Sequence, residues 1–421
     1  ATSLTAGEGF WVWSGDAAAG TAAFTIDLFG TINSGSISLP VSFSNGTHAD
    51  DGWCMVGNPY PCTIDWDDTD WTKTNIDDAV YIWSTQTSSY ASYISGVGNN
   101  GGSNEIASGQ GFWIKANATS PVLTATEGVK INQSPTFLKA GSTNNVFRLN
   151  MTSQNGTLKD QTTFNVGYGK SAAFNSSEDA LKMLNGQENV SISSISSDNK
   201  ELSINSLPID KDLEIPIWVM SPENDFCKFY LEDEGGLEKF ACIVLSDEQT
   251  GLVHPISLGD TLTLAVFASG TTIHRFTLKA LAFPEVDVVN EVCFDGNGVI
   301  CSSGKGMSRE ISVKDSFGAN IWSTTTSEID TLEGVSAGLY TIVFDENEAT
   351  CTQSIDVVVE SEEVLAEFAI AGSMSEDSMI VFSNQSIHAT SFDWDFGDNS
   401  TSTDFNPSHT YGIMGTYNVT L

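Results

Sequence analysis

The chain has 421 residues, 40% of them apolar and 17% charged, so it is able to form packed cores and is not a disordered tail. Its 54 acidic residues outnumber its 17 basic ones, which gives a formal net charge of −37. This charge argues against nucleic acid and anionic membrane surfaces as partners, because both would be repelled. The length suits about three or four domains. No apolar run is long enough to span a bilayer, so membrane insertion is not expected.

Strand patterns predominate along the chain, and clusters of glycine and asparagine supply the loops between them. The clearest alternating segments, rich in β-branched and aromatic residues, are residues 24–30, 80–83, 202–205, 261–266 and 354–359. The one helix signal covers residues 176–185, with Asn175 or Ser176 as N-cap and Gly186 past the end. The sequence therefore predicts an all-β chain of β-sandwich domains in series with one short helix.

The first predicted domain, residues 1–140, contains an internal repeat. The pattern G-x-G-F-W at residues 7–11 returns at residues 109–113, and each copy places a glycine turn before an aromatic strand. A further motif, G-W-C-M-V-G-N-P-Y-P, occupies residues 52–61. Together they resemble an uncharacterised β-rich region near the ends of very long surface proteins that gliding bacteria export by type IX secretion. In that region, Asn and Ser commonly stand where this chain has Cys54 and Cys62.

The seven cysteines fall into local groups without C-x-x-C pairs or zinc-finger spacing, so a zinc site is not expected. Short-range pairs in β-rich segments are typical of disulfides formed in an oxidising compartment. We therefore predict the bridges Cys54–Cys62 and Cys227–Cys242. The alternative is that these residues are buried free thiols, because buried cysteine is common. With seven cysteines, one must stay unpaired within the chain.

The densest group of carboxylates lies at residues 65–70. Alternate oxygens from a short loop are the ligands that calcium prefers, so we predict a calcium site. Its ligands would be Asp65, Asp67, Asp68 and Asp70. The glycine and the distant glutamate of an EF-hand loop are missing. The alternative is an acidic surface turn between two strands.

Seven of the ten tryptophans fall in the first 120 residues. They follow glycines or alternate with other apolar residues, as core aromatics do, so we expect most of them to be buried. The alternative is an exposed platform on which sugar rings stack. These tryptophans are Trp11, Trp13, Trp53, Trp66, Trp71, Trp83 and Trp113.

Two further domains are predicted in the middle of the chain. Residues 141–283 resemble the β-sandwich that commonly follows the first region in type IX surface proteins. Residues 284–360 resemble the short Ig-like repeat of gliding adhesins (SprB-like). The resemblance rests on the early C-x-D-G-x-G at residues 293–298 and the late A-G-L-Y-T at residues 337–341. That resemblance implies a Cys293–Cys351 bridge and leaves Cys301 over.

The last predicted domain is residues 361–421. It carries W-D-F-G-D-N at residues 394–399, N-P-S-H-T-Y at 406–411 and G-T-Y-N-V at 415–419. These motifs closely resemble the PKD module, an immunoglobulin-like sandwich of secreted and surface proteins. Asn399 stands where the family usually has glycine, and asparagine also tolerates left-handed backbone angles. We expect Asp395 and Asp398 to accept hydrogen bonds from turn amides. The final strand looks truncated at Leu421, so we expect the chain to be part of a longer protein.

No motif for catalysis stands out. The five histidines are scattered, and nucleophile-elbow, Walker and H-E-x-x-H motifs are missing. The sequence therefore predicts a non-catalytic segment of a long, secreted cell-surface adhesin or appendage exported by type IX secretion. The alternative is the accessory or carbohydrate-binding region of a secreted hydrolase. We expect copies of the chain itself to be partners, as a homo-oligomer or filament, and the alternative is an isolated monomer. Cell-surface glycans or other cells are a further class of partner.

Overall fold

The computed structural model describes residues 5–10, 30–44, 51–85, 87–132, 145–184, 189–222, 225–266, 274–292, 295–345, 351–371 and 379–421. The chain divides into two compact units, Ala1–Phe283 and Pro284–Leu421. Strands make up almost all of the regular structure, and the helical segments in the described ranges are two 3-10 turns, Glu127–Val129 and Leu237–Lys239. The all-β prediction is confirmed.

The first unit begins with short strands that build small sheets. They are β1 (Ile37–Ser38), β2 (Trp53–Gly57), β3 (Thr63–Asp65), β4 (Trp71–Thr74), β5 (Val80–Ser84), β6 (Ser89–Ile94), β7 (Val97–Asn99), β8 (Glu105–Ile106), β9 (Gly111–Lys115), β10 (Val122–Ala125) and β11 (Lys130–Ile131). The sheet orders are β1-β10-β4, β11-β3-β8 and β2-β9-β5-β6-β7. Alternate side chains of these strands meet in one core, which includes Val56, Ile64, Trp66, Phe112 and Ile114. Alternation with period two therefore decides which aromatics are buried.

The remainder of the first unit is one large sheet that folds over its own core. Its strands are β12 (Val146–Ser153), β13 (Lys159–Val166), β14 (Ala180–Leu181), β15 (Ser191–Ile195), β16 (Glu201–Leu207), β17 (Leu213–Met220), β18 (Asp225–Glu234), β19 (Phe240–Asp247), β20 (Leu252–Pro255), β21 (Leu262–Val266) and β22 (His274–Ala282). The order is β20-β19-β22-β17-β15-β16-β13-β12-β18-β21, and β14 pairs with β16. Phe147, Phe164, Phe229 and Phe276 are fully buried in the core that the sheet encloses.

The two parts of the first unit share a third core, which joins the first two predicted domains. Tyr81, Ile94 and Val97 pack there against Val146 and Ile204. Buried hydrogen bonds accompany this packing, as between the hydroxyls of Ser92 and Ser203, 2.8 Å apart. The boundary predicted between residues 140 and 141 therefore does not separate independent cores. The boundary predicted between residues 283 and 284 coincides with the division into units.

The helix predicted over residues 176–185 is wrong. Residues 176–178 form a turn, and Ala180–Leu181 form β14 beside β16. The Asp179 carboxylate accepts hydrogen bonds from the Ser206 and Asn175 amides, at 2.6 and 2.7 Å. These contacts hold the segment extended against β16, so pairing with a distant strand overrides the local capping signal.

Four of the five clearest strand predictions are confirmed, because residues 80–83, 202–205, 261–266 and 354–359 lie in or overlap strands. The fifth, residues 24–30, falls almost wholly outside the described residues.

The second unit holds the remaining strands. They are β23 (Val286–Val289), β24 (Glu291–Val292), β25 (Gly298–Ser303), β26 (Arg309–Lys314), β27 (Asn320–Thr326), β28 (Ile329–Val335), β29 (Gly338–Asp345), β30 (Gln353–Val359), β31 (Ser361–Glu362), β32 (Phe368–Ala371), β33 (Met379–Asn384), β34 (Trp394–Asp395), β35 (Thr401–Ser402) and β36 (Ser408–Thr410). The sheets are β23-β25-β28, β27-β26-β29-β30, β24-β31, β32-β33-β36 and β34-β35. One apolar cluster centres on Ile311 and Ile342, and another centres on Phe382 and Trp394.

Candidate functional sites

The acidic segment 65–70 forms the turn between β3 and β4. Backbone amides of the segment donate hydrogen bonds to its own carboxylates. Asp65 Oδ1 accepts from the Asp67 amide at 2.9 Å and from Asn104 Nδ2 at 2.7 Å. Asp68 Oδ1 accepts from the Asp70 amide at 2.8 Å. Such Asx turns are a usual role of aspartate in tight loops. One carboxylate oxygen of Asp65 and one of Asp68 are therefore already hydrogen-bonded within the fold.

A lysine supplies positive charge beneath this turn. Lys73 Nζ lies 3.9 Å from the centroid of the Trp66 ring and donates to the Trp66 carbonyl at 3.0 Å. It also lies 3.9 Å from Asp78 Oδ1. Burial lowers the pKa of Lys73, and the carboxylates of Asp78, Asp67 and Asp65 oppose that shift. The acidic charge of the loop is thus partly balanced from within the fold.

The predicted calcium ligands do not converge. The Asp67 carboxylate accepts a hydrogen bond from the Tyr93 hydroxyl. Burial raises the pKa of Asp67, and the hydrogen bond from Tyr93 opposes this rise. In the part of the chain that the structure describes, no three histidine, cysteine, aspartate or glutamate side chains are grouped as metal ligands. The geometry fits the acidic-turn alternative, and calcium binding itself stays a prediction.

The described tryptophans of the first segment are core or half-buried residues. Trp66 is fully buried and Trp71 nearly so, with ring centroids 5.1 Å apart. Trp53 and Trp113 pack against the core shared by the two parts of the first unit. Trp83 is half-buried and meets Tyr90 edge-on. The expectation of burial is confirmed for Trp66 and Trp71, and Trp11 and Trp13 lie outside the described residues.

Both copies of the G-x-G-F-W repeat pair with β2, and the G-N-P-Y-P motif begins at the end of that strand. Val56 of β2 pairs with Phe112 of the second repeat copy and bridges to Glu8 of the first, so the copies flank β2 on opposite sides. Asn58 Nδ2 donates to the carbonyls of Cys62 and Ala107, at 2.8 and 3.0 Å. These motifs therefore serve the packing of the fold.

The predicted Cys54–Cys62 bridge is wrong, because both residues are thiols. Cys54 points from β2 into the core, where its Sγ accepts from the Ser42 amide at 3.3 Å and donates to the Ser42 carbonyl at 3.2 Å. Cys62 lies at the end of the turn that follows β2, and the Cys62 carbonyl accepts a hydrogen bond from the Asn58 side chain. The alternation of β2 and the Asn58 turn thus give the two side chains different surroundings.

The predicted Cys227–Cys242 bridge is also wrong. Cys242 takes part in a disulfide, whereas Cys227 keeps its thiol in the core of the large sheet. Cys227 lies on β18, which pairs with β12 and β21, whereas Cys242 lies on β19, which pairs with β20 and β22. Proximity in sequence therefore does not place the two strands side by side. Cys301 is a thiol, as expected.

The predicted Cys293–Cys351 bridge stays a prediction, because Cys293 lies outside the described residues.

The large sheet carries an enclosed charged group. Lys182 Nζ contacts Asp160 Oδ2, and the two side chains are 1% and 0% exposed. Asp160 also accepts from Asn100 Nδ2 at 2.8 Å and from the Ile192 amide at 2.9 Å. Sequence reasoning missed this group, because its members are far apart in the chain and form no motif for an ion pair.

The aspartates of the predicted PKD segment accept from turn amides, as expected. Asp395 Oδ1 accepts from the Gly397 amide at 2.9 Å, and Asp398 Oδ1 accepts from the Ser400 amide at 3.0 Å. Asn399 adopts a φ of 73°, the left-handed conformation anticipated for it. His409 Nε2 lies 2.7 Å from Asp398 Oδ2, and this contact lowers the pKa of Asp398.

Aromatic packing fixes the same loops. The His409 ring stacks on Phe396 with centroids 4.4 Å apart. Trp394 is buried and donates from Nε1 to the Asp404 carbonyl at 2.9 Å, and the Tyr411 hydroxyl donates to the Phe396 carbonyl at 2.8 Å. The W-D-F-G-D and N-P-x-H-x-Y motifs are therefore two sides of one packed core.

The described ranges contain no helix with the length and apolar character that a membrane span requires.

Comparison with known proteins gives two family matches. A family model described as a domain of unknown function (DUF8693) matches residues 1–279. A PKD domain model matches residues 370–421. No curated protein matches the chain. The first match spans the whole of the shared core between the small sheets and the large sheet, which agrees with their being one unit.

Proposed function

Because the chain belongs to the DUF8693 family and carries a PKD domain, we propose that it is a non-catalytic structural or adhesive segment of a long, secreted cell-surface protein. A PKD domain fits an extracellular module of this kind. The observation that carries the proposal is that the candidate site residues make hydrogen bonds and packing contacts within the fold. The acidic loop, the buried Trp66 and Trp71 and the PKD aspartates serve turns and cores.

Export by type IX secretion is part of the proposal. It is supported by the resemblance of the G-x-G-F-W and G-N-P-Y-P motifs to surface proteins of that system, and by the SprB-like pattern of residues 284–360. The net charge of −37 also suits an extracellular segment in saline medium, where salt screens repulsion beyond roughly 8 Å. The same charge keeps copies soluble and discourages indiscriminate contact.

Surface labelling of intact source cells tests this function. An antibody to residues 284–421 is expected to label wild-type cells and to lose that signal in cells lacking the type IX translocon. The chain should then accumulate inside those cells, as fractionation would show. Surface labelling that is unchanged without the translocon would exclude this export route, and a chain found only in the cytoplasm would exclude the surface role altogether.

A further inference from the structure

The Lys182–Asp160 pair is almost completely enclosed, with side chains 1% and 0% exposed. Six other lysine pairs of the described residues each have a partner that is at least one-third exposed. Two opposite charges shut away from water gain no hydration, so transfer of the proton from the ammonium to the carboxylate becomes less costly than it is at the surface. The contact thus brings an amine nitrogen against a carboxyl group in a dry site.

The surrounding donors hold both carboxyl oxygens of Asp160. The Ile192 amide donates to Oδ2 at 2.9 Å, with the Ser191 hydroxyl 3.3 Å from the same oxygen. Asn100 Nδ2 donates to Oδ1 at 2.8 Å. These groups fix the plane of the carboxyl group, and they would stabilise negative charge that builds on either oxygen when a nucleophile attacks Cγ.

A third ionisable residue, Glu201, lies on the strand beside Lys182. Lys182 follows β14, and its amide donates to the Glu201 carbonyl at 2.8 Å across the β14–β16 pairing. Burial raises the pKa of the half-buried Glu201, and the nearby Lys182 charge opposes this rise. A carboxyl group with a raised pKa is suited to pass protons to and from reacting atoms.

We propose that Lys182 and Asp160 join in an intramolecular isopeptide bond once the chain has folded. The neutral Lys182 amine attacks Asp160 Cγ, and the new Nζ–Cγ bond replaces one Cγ–O bond. The displaced oxygen leaves as water, carrying the carboxyl hydrogen and one amine hydrogen, and Glu201 relays the protons. No atom is oxidised or reduced, and no cofactor takes part. The fold supplies the orientation that makes such a reaction effectively unimolecular.

The bond would tie strands that lie on opposite sides of β16. Asp160 is on β13, which pairs with β16 in parallel, and Lys182 follows β14, which pairs with β16 on its other edge. Asn100, from the small-sheet part of the unit, donates a hydrogen bond to the same Asp160 carboxylate. The inference goes beyond the proposed function and does not depend on it, because the bond would form in any compartment where the chain folds.

Mass spectrometry of the whole purified chain, denatured and with its disulfides reduced, tests the proposal. The expected mass is lower than the sequence mass by one water molecule. Chymotrypsin cuts after Phe164, Tyr168 and Phe174, so digestion is expected to give a branched peptide that joins Asp160 to Lys182 but lacks residues 165–174. A folded wild-type chain that keeps its full sequence mass after prolonged incubation would overturn the proposal and leave a buried ion pair.

Three variants separate the bond from other losses of water. Lys182→Arg keeps a positive charge but lacks the amine nucleophile, so its full sequence mass is expected. The matched control Lys170→Arg changes a lysine that lies 3.9 Å from Glu178, and the mass loss is expected to persist. Glu201→Gln is expected to fold, by circular dichroism, and to form the bond more slowly. A mass loss that survives Lys182→Arg would also overturn the proposal.

Discussion

At the residue scale, Asp179 shows how a carboxylate used for structure makes stability depend on pH. It is almost completely buried, and its two oxygens accept from the Ser206 and Asn175 amides. Burial raises the pKa of Asp179 to about 6, against an ordinary value of 3.8. The folded state therefore favours the protonated form. The stability this gives is fully present below pH 3.8 and is lost as the pH rises through 6.

We predict that Asp179→Asn flattens the pH dependence of unfolding. A shift of this size corresponds to at most about 3 kcal/mol between pH 4 and pH 8. The variant should lose that dependence, at a pH-independent cost of about 1 kcal/mol for the amide bond that asparagine cannot accept. Urea midpoints across this range measure the effect. The control Asp198→Asn removes a carboxylate whose pKa is lowered by the Phe174 amide, so it should not flatten the curve in this way. An unchanged pH profile in Asp179→Asn would contradict the prediction.

At the scale of elements, the start of β2 depends on the absence of a side chain at residue 52. Gly52 has a φ of +84°, and a Cβ added there would lie 2.1 Å from the Ala116 carbonyl oxygen. Gly109 also has a positive φ, +74°, but an added Cβ would meet nothing within 4 Å. At similar backbone angles, the two glycines thus differ in the space around the Cβ position and in burial.

We predict that Gly52→Ala is more destabilising than Gly109→Ala. The left-handed conformation costs alanine roughly 1–2 kcal/mol at either site. The clash with the Ala116 carbonyl should add roughly 1–3 kcal/mol in Gly52→Ala. Urea unfolding followed by tryptophan fluorescence measures the difference, because Trp66 and Trp71 are buried in this part of the unit. Equal losses in the two variants would show that the backbone near Ala116 moves freely.

The sequence predicted those elements whose causes are local. Alternation of apolar residues predicted β5, β16 and β30, and aspartate chemistry predicted the turns at Asp395 and Asp398. The helix at 176–185 failed because Asp179 is held by Ser206, which is distant in the chain. The Cys227–Cys242 bridge failed because strand order in the large sheet does not follow chain order. Contacts between residues that are distant in the chain leave no local pattern in the sequence. The Lys182–Asp160 contact is another example.

At the scale of the whole molecule, charge repulsion and open sheet edges would act in opposite directions on any contact between copies of the chain. In the described part of the second unit, β27 pairs only with β26 and β30 pairs only with β29. Strand β27 holds no charged residue, although charges are a common protection for an exposed edge. Its Ile321 is 47% exposed. The net charge of −37 opposes contact between copies, so an edge-to-edge contact has to work against that repulsion.

We propose that copies of the chain associate through this edge once salt screens their charge. The Debye length falls to about 3 Å at 1 M salt, so association should strengthen with ionic strength. Light scattering of the full chain is expected to show a monomer at low salt and a larger species at high salt. Ile321→Glu should abolish the larger species by placing charge on the edge. Leu258→Glu adds the same charge at an exposed turn of the first unit and should leave association intact. A strict monomer at high protein concentration and at every salt concentration would instead support an isolated spacer.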